Sequence, residues 1–323
     1  MTLSFDTPGC SQTTFYGNLR AATPTPVHLA GADCPIRPHV SLAGLTSFRV
    51  GGPAQWYVAP RRPEEVLLSF DWAQRQDLPI TLLGAGSNLL VSDRGIPGLV
   101  LGTRRLRRVA FDAEAGQVTV GAGESIAKIA WQVAKRGWMG FEWAVGIPGT
   151  VGGCVVMNAG AHSQCVADSL VSALVLQPDR TIVQLTPEEL NYSYRTSSLQ
   201  GDGRLVLQAT FQLEPGSTRS QVMATTNRNL QQRKSSQPYH LPSCGSVFRN
   251  HGTHKAGWLI EQIGLKGYQI GGAQVAHRHA NFILNCGEAK ASDIFQLIRH
   301  VQEQVEQHWS LCLHPEVKLL GEF

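Results

Sequence analysis

A chain of 323 residues, 42% of them hydrophobic, is long enough for two or three packed units. Its formal net charge of +4 is mild; it suits a small anionic ligand and is too weak to point to nucleic acid. Seven cysteines scattered without a CxxC pair argue against a disulfide framework and a zinc site, so no metal is expected.

In chain order, residues 1–38 are rich in Thr, Pro, Gly and Ser and read as a poorly ordered N-terminal extension, with Phe15 or Tyr16 able to dock. The opening MTLSFDTPGCSQ has no basic stretch followed by an apolar one, which makes the cytoplasm the expected location. Pro63 with Glu64 and Glu65 starts a helix whose apolar stripe is Val66, Leu67, Phe70 and Ala73. A strand follows at Ile80–Leu83 and runs into Gly84-Ala85-Gly86. Short strand-like runs (LVLG, RRVAF, QVTVGAG) precede a helix with Ile126, Ile129, Ala130, Val133 and Ala134 on one face, closed by Gly137. From Trp143 to Ala161 there are nineteen residues without a charge. That length would cross a membrane, but the density of glycine and proline disfavours a helix and a bare backbone is untenable in lipid. The segment reads as a buried glycine-rich loop with a strand. Strands near SALVLQ, TIVQL and LVLQATFQL end at Glu214-Pro215-Gly216, a boundary. A second unit then holds a helix through MATTNRNLQQR, a loop SSQPYHLPSCGSVFRN, a helix in AGWLIEQIGLKG closed by Gly264, a helix from Ser292 with Ile294, Ile298, Val301 and Val305 on one face, and a last strand, EVKLL.

Two glycine loops, 84–88 and 146–153, stand out. Glycine lets a backbone take φ > 0 and lets N–H groups converge on an anion such as a phosphate. Either loop alone also fits a tight turn in a sheet protein. The dinucleotide fingerprint GxGxxG fails here, because position 89 is Leu89 and Gly95, Pro97 and Gly98 prevent a long helix after the turn. An anion at this loop would rest on bare backbone N–H groups with Ser87 and Asn88.

TSFRVGGPA (46–54), LLGAGSNLLVSDRGIPG (82–98), GIPGTVGGCVVMNAGA (146–161), YSYRTS (192–197), PSCGSVFRN (242–250), AGWLIEQIGLKGYQIGGAQV (256–275), HANFILN (279–285) and HPEVKLLGE (314–322) together resemble the UDP-N-acetylenolpyruvoylglucosamine reductase (MurB) family, in its shorter subtype. The resemblance implies an α+β fold. A two-lobed FAD-binding domain of the vanillyl-alcohol-oxidase (PCMH) type would span 39–216, its lobes about 39–104 and 105–216. An α+β substrate-binding domain would span 217–323. It implies noncovalent FAD, with Gly84, Ala85, Gly86, Ser87, Asn88, Arg49, Gly146, Thr150, Gly153 and Asn158 on flavin-contacting stretches. NADPH would be the hydride donor and a UDP-sugar the substrate. No obligate protein partner is implied.

The reaction implied is hydride transfer from NADPH to FAD, then to the vinyl carbon of an enolpyruvyl ether, in peptidoglycan precursor synthesis. Negative charge then develops beside the substrate carboxylate, which calls for a cation and a proton source. The family positions carry Arg195, Ser246 and Glu316. For substrate binding they carry Tyr194, Lys234 (with Arg233 beside it), Asn250 and His279. Two departures from the family pattern are Ala161-His162-Ser163 and His251. An oxidase of the same fold and a nucleotide-binding protein without turnover are the competing readings; the HPEVK ending speaks against the oxidase.

Overall fold

The computed structural model describes residues 25–323 except 251 and 253. Phe15, Tyr16 and His251 lie outside the described residues.

The first sheet joins β1 (Arg37–Ser41), β2 (Pro53–Val58) and β3 (Ile80–Leu83) to β5 (Ile96–Gly102). β4 (Leu89–Val91) leaves this sheet just after the first glycine loop. The spatial order is β1-β2-β5-β3; β2, β5 and β3 run parallel, and the helix α1 (Pro63–Arg75) makes the crossover from β2 to β3. Pro63 opens α1, where its missing N–H costs nothing.

α1 also accounts for a correction. The chain before residue 39 is not all extension: Val27 bridges Ile36, and Cys34 and Ile36 are buried. The fully buried Glu65 carboxylate accepts the backbone N–H of Asp33 at 2.9 Å and of Arg61 at 2.6 Å, which ties this hairpin to the helix start.

The second sheet is antiparallel. β6 (Val109–Asp112), β7 (Gln117–Gly121), β10 (Leu170–Leu176), β11 (Ile182–Leu185) and β12 (Leu205–Gln212) lie in the order β11-β10-β12-β7-β6. Between β7 and β10 come α2 (Ile126–Ala134), a 3₁₀ turn (Glu142–Gly146), α3 (Val151–Val156) and the short hairpin β8 (Gly160–Ala161)–β9 (Gln164–Cys165). The uncharged stretch 143–161 is therefore mostly helical, with a strand of only two residues. Packing overrides glycine's poor propensity here: a Cβ on Gly152 would lie 2.9 Å from the Ala122 Cβ, so the helix needs glycine to approach the sheet. No helix among the described residues is long and apolar enough to cross a membrane.

After the Glu214-Pro215-Gly216 boundary, α4 (Arg219–Ser236) does not join the C-terminal unit. It packs on α2 and the 142–146 turn, with Leu230 against the second-lobe core. The C-terminal unit is α5 (Ala256–Gln262), the antiparallel sheet β13 (Gln269–Ile270), β14 (Ala273–Val275) and β15 (Ile283–Asn285), and α6 (Ala291–Trp309). Ile294, Ile298, Val301 and Val305 form the buried face of α6.

This unit is stitched to the first lobe. β16 (Lys318–Leu320) pairs in parallel with β4, and Phe48, Val50 and Leu90 belong to its core. Asn285 donates its side-chain N–H to the buried Phe48 carbonyl at 2.9 Å. Asp93 of the first lobe accepts the N–H groups of Ala291 and Ser292, at 2.8 and 2.9 Å, capping α6 from outside its own unit.

Candidate active site

Where the lobes and the C-terminal unit meet, a cavity of about 790 Å³ opens. Its walls bring together sequences far apart: 84–89, 147–160, 194–206, 244–250 and 316–320.

The two glycine loops touch each other along its wall. Ser87 Oγ donates to the Pro148 carbonyl at 3.1 Å. A Cβ on Gly84 would lie 2.8 Å from Thr150 Oγ1, and one on Gly149 would lie 3.1 Å from Ser87 Oγ, so glycine keeps this channel open. The backbone N–H groups of residues 84–88 donate to no protein group among the described residues. Thr150 Oγ1 is buried without a hydrogen-bond partner. Free donors beside an orphaned hydroxyl suit a bound oxyanion, since a buried polar group left unpaired costs about 1–3 kcal/mol.

The same cavity carries the charge chemistry. Arg195 sits at φ +57°, a left-handed conformation that costs a non-glycine residue free energy and needs support. The support is local: Ser193 and Thr196 exchange backbone hydrogen bonds, and Gln200 Nε2 donates to the Arg195 carbonyl at 2.9 Å. The guanidinium donates from Nε to Glu316 Oε1 at 3.1 Å, from Nη2 to the Gly160 carbonyl at 2.8 Å, and from Nη1 to the Asn158 carbonyl at 3.4 Å.

Glu316 is only 15% exposed. Burial pushes its carboxyl pKa up; Arg195 and Arg249 pull it part of the way back, and the net shift is upward. A carboxyl so placed keeps its proton to a higher pH than a surface glutamate does. Ser246 shares the cavity wall with it, because Glu316 N–H donates to the Val247 carbonyl at 2.7 Å. Val247 in turn donates to the Asn281 carbonyl, and the buried Asn281 side chain brackets Phe248 from both sides. Asn88 closes the ring: its Nδ2 donates to the Glu316 carbonyl at 3.1 Å and its own carbonyl accepts from Lys318 at 3.0 Å. The first glycine loop and the HPEVK segment are thus one unit.

Of the residues singled out in the sequence, Gly84, Ala85, Gly86, Ser87, Asn88, Thr150, Gly153, Tyr194, Arg195, Ser246, Asn250 and Glu316 line the cavity. Five do not. Arg49 is exposed in a turn at φ +58°. Gly146 lies behind the wall, its carbonyl accepting from Tyr239 at 3.2 Å. Asn158 is buried as a tie, donating to the Ser193 carbonyl and accepting from Ala167 N–H. His279 packs on the Phe282 ring with burial depressing its pKa, and Nδ1 accepts the Asn281 N–H. Lys234 is off the wall; its neighbour Arg233 is on it, held by Gln237 Oε1 at 3.2 Å and by the Tyr239 hydroxyl at 3.4 Å. Helix phase separates the two basic residues, which adjacency in sequence could not. Gln200 and Arg204 are further wall residues that carried no motif; Asn281 and Lys318 are also on the wall and lie within HANFILN and HPEVKLLGE, though neither was singled out there.

Cys154 and Cys244 also line the cavity, as thiols; burial pushes Cys154 up to about 12. Among the described residues no group of three or more His, Cys, Asp or Glu is arranged to hold a metal.

Comparison with known proteins decides the family. Residues 54–186 match a family model described as an FAD binding domain, and residues 237–320 match one described as the UDP-N-acetylenolpyruvoylglucosamine reductase C-terminal domain. A UDP-N-acetylenolpyruvoylglucosamine reductase of Nostoc sp. is 63% identical over 297 residues, 92% of this chain and 90% of the relative. One from Synechocystis sp. is 60% identical over 311 residues, 94% of this chain and 98% of the relative.

The chain belongs to the UDP-N-acetylenolpyruvoylglucosamine reductase family.

The crystal structure of such a reductase (MurB) from Thermus caldophilus superposes with a TM-score of 0.76 at 33% identity, covering 89% of this chain and all of that one. The chain is an oxidoreductase and its cofactor is FAD, in a two-lobed FAD-binding domain followed by an α+β C-terminal domain. The cavity fits that cofactor. The free N–H groups of 84–88 and the Thr150 hydroxyl offer the donors a flavin diphosphate requires, and the missing side chains at Gly84 and Gly149 leave it room.

Proposed function

We propose that this reductase converts UDP-N-acetylglucosamine enolpyruvate to UDP-N-acetylmuramate in peptidoglycan precursor synthesis, with NADPH as hydride donor. When bound, noncovalently, the flavin supplies hydride transfer, from NADPH to the vinyl carbon. The protein holds the substrate and manages charge and proton.

Arg195 binds the substrate carboxylate and stabilises the negative charge that grows beside it. Ser246 gives the proton to the carbon next to the carboxylate. Glu316, held against Arg195 in a buried site, fixes the guanidinium and stands as the nearby acid of raised pKa. Tyr194 and Asn250 line the sugar-nucleotide end, and Arg233 in place of Lys234 offers the cation for the UDP diphosphate. Asn250 also accepts the Ala256 N–H at 3.1 Å, which fixes its side chain at the start of α5.

The observation that carries this reading is the joining of Arg195, Ser246 and Glu316 in one cavity with the paired glycine loops. It is tested by supplying the enolpyruvyl substrate anaerobically and following NADPH. One NADPH consumed per lactyl ether formed supports it; NADPH consumption that requires oxygen and ignores the substrate refutes it.

A further inference from the structure

We propose that Arg104, a residue behind the cavity wall, sets the shape of the cradle that receives the FAD diphosphate; this rests on the cavity being the FAD site. The guanidinium spans three carbonyls. Nε donates to Gly84 O at 3.3 Å, and Nη2 donates to Ala85 O at 2.6 Å and to Leu45 O at 2.9 Å. The next carbonyl of the loop, Gly86 O, accepts from Ser47 N–H at 3.0 Å. Three successive carbonyls are thus held on the side away from the ligand.

A trans peptide is planar, with C=O and N–H pointing opposite ways. Holding the oxygens of residues 84, 85 and 86 backward therefore turns the N–H groups of 85, 86 and 87 forward. Those are donors with no protein partner among the described residues. The turn needs Gly86 at φ +63°, where a Cβ would lie 2.4 Å from Leu45 O. Without Arg104, the Gly84 and Ala85 carbonyls would lose this partner and could swing their negative ends toward the phosphates. A lysine cannot replace the fork, because its donors radiate from one compact nitrogen. Arg104 thus acts on the cofactor through the loop and is a positioning residue.

The test titrates apoprotein with FAD and with riboflavin, which carries the ring system but no phosphate, by flavin fluorescence. Arg104→Met should raise the FAD Kd by about 10- to 100-fold and Arg104→Lys by at least about fivefold, as expected for lost hydrogen bonds from a charged donor. Riboflavin affinity should stay within about twofold, and FAD bound at saturation should keep the wild-type visible spectrum. If Arg104→Met does not fold, Arg104→Lys carries the comparison. FAD binding by the variants within about threefold of wild type, or riboflavin weakened as much as FAD, overturns the proposal. Wild-type protein that binds no FAD would instead overturn the reading of the cavity beneath it.

Discussion

Replacing Arg195 by lysine keeps the charge and removes the fork. A guanidinium has five N–H groups, and three are engaged: Nε by Glu316, Nη1 by Asn158 O and Nη2 by Gly160 O. One N–H on each Nη remains, which matches the two oxygens of a planar carboxylate. Lysine has three N–H groups on a single nitrogen and cannot serve Glu316, two carbonyls and a substrate carboxylate together. What is lost is a preorganised pair of donors to developing negative charge. That is about 2–4 kcal/mol by comparison with an oxyanion-hole donor, or about 30- to 1,000-fold in rate. Stopped-flow absorbance at the flavin band separates the half-reactions. Reoxidation by the enolpyruvyl substrate should fall by that factor, and reduction by NADPH should fall far less, because no carboxylate charge develops in it. An Arg195→Lys reoxidation rate within about fivefold of wild type would refute the assignment.

Three other outcomes are expected. Ser246→Ala should slow reoxidation by about 10²–10⁴-fold, as for loss of a general acid, while NADPH still bleaches the flavin near the normal rate; equal slowing of both steps in stopped flow would make the serine structural. Heat denaturation should release intact FAD into the supernatant, and flavin remaining on the precipitated polypeptide would show covalent attachment. Asp93→Ala should cost about 1 kcal/mol near neutral pH, the lower range for a lost helix cap because the side chain is solvent-exposed. Desolvation works to raise the Asp93 pKa, but hydrogen bonds from Ser292 and Ala291 outweigh it and the net shift is downward. The cap therefore stabilises fully above the ordinary aspartate pKa and is lost as pH falls through the lower folded value. The difference in Tm between wild type and Asp93→Ala should shrink in that acid window; a difference that grows on acidification contradicts the cap.

Elements with a clear period were legible in the sequence. Pro63-Glu64-Glu65 marked α1, the Ile126-to-Ala134 stripe marked α2, and Ile294-to-Val305 marked α6, because one buried face suffices to define each. Harder to see were features set by contacts between distant segments. The hairpin at 25–36 has scattered apolar residues, two prolines and no sustained period, and the Val27–Ile36 bridge and the buried Glu65 carboxylate reveal that its backbone is anchored. α3 holds two glycines that propensity scores against a helix, and the 2.9 Å approach to Ala122 explains the first of them, Gly152. The Arg195, Ser246 and Glu316 positions were visible through motifs, but their meeting depends on β16 returning to β4. Arg104 sits in the run TRRLRR among Arg105, Arg107 and Arg108, and nothing in that run distinguishes it. Its three carbonyl partners exist only once residues 45 and 84–85 have come together.

The most direct test of the central claim is the visible spectrum of the purified protein under anaerobic conditions, taken before NADPH, after NADPH, and after addition of UDP-N-acetylglucosamine enolpyruvate. The account predicts a flavin spectrum that NADPH bleaches and that the enolpyruvyl substrate restores in stoichiometric amount. A bleached spectrum that the substrate leaves unchanged and only oxygen restores would contradict it.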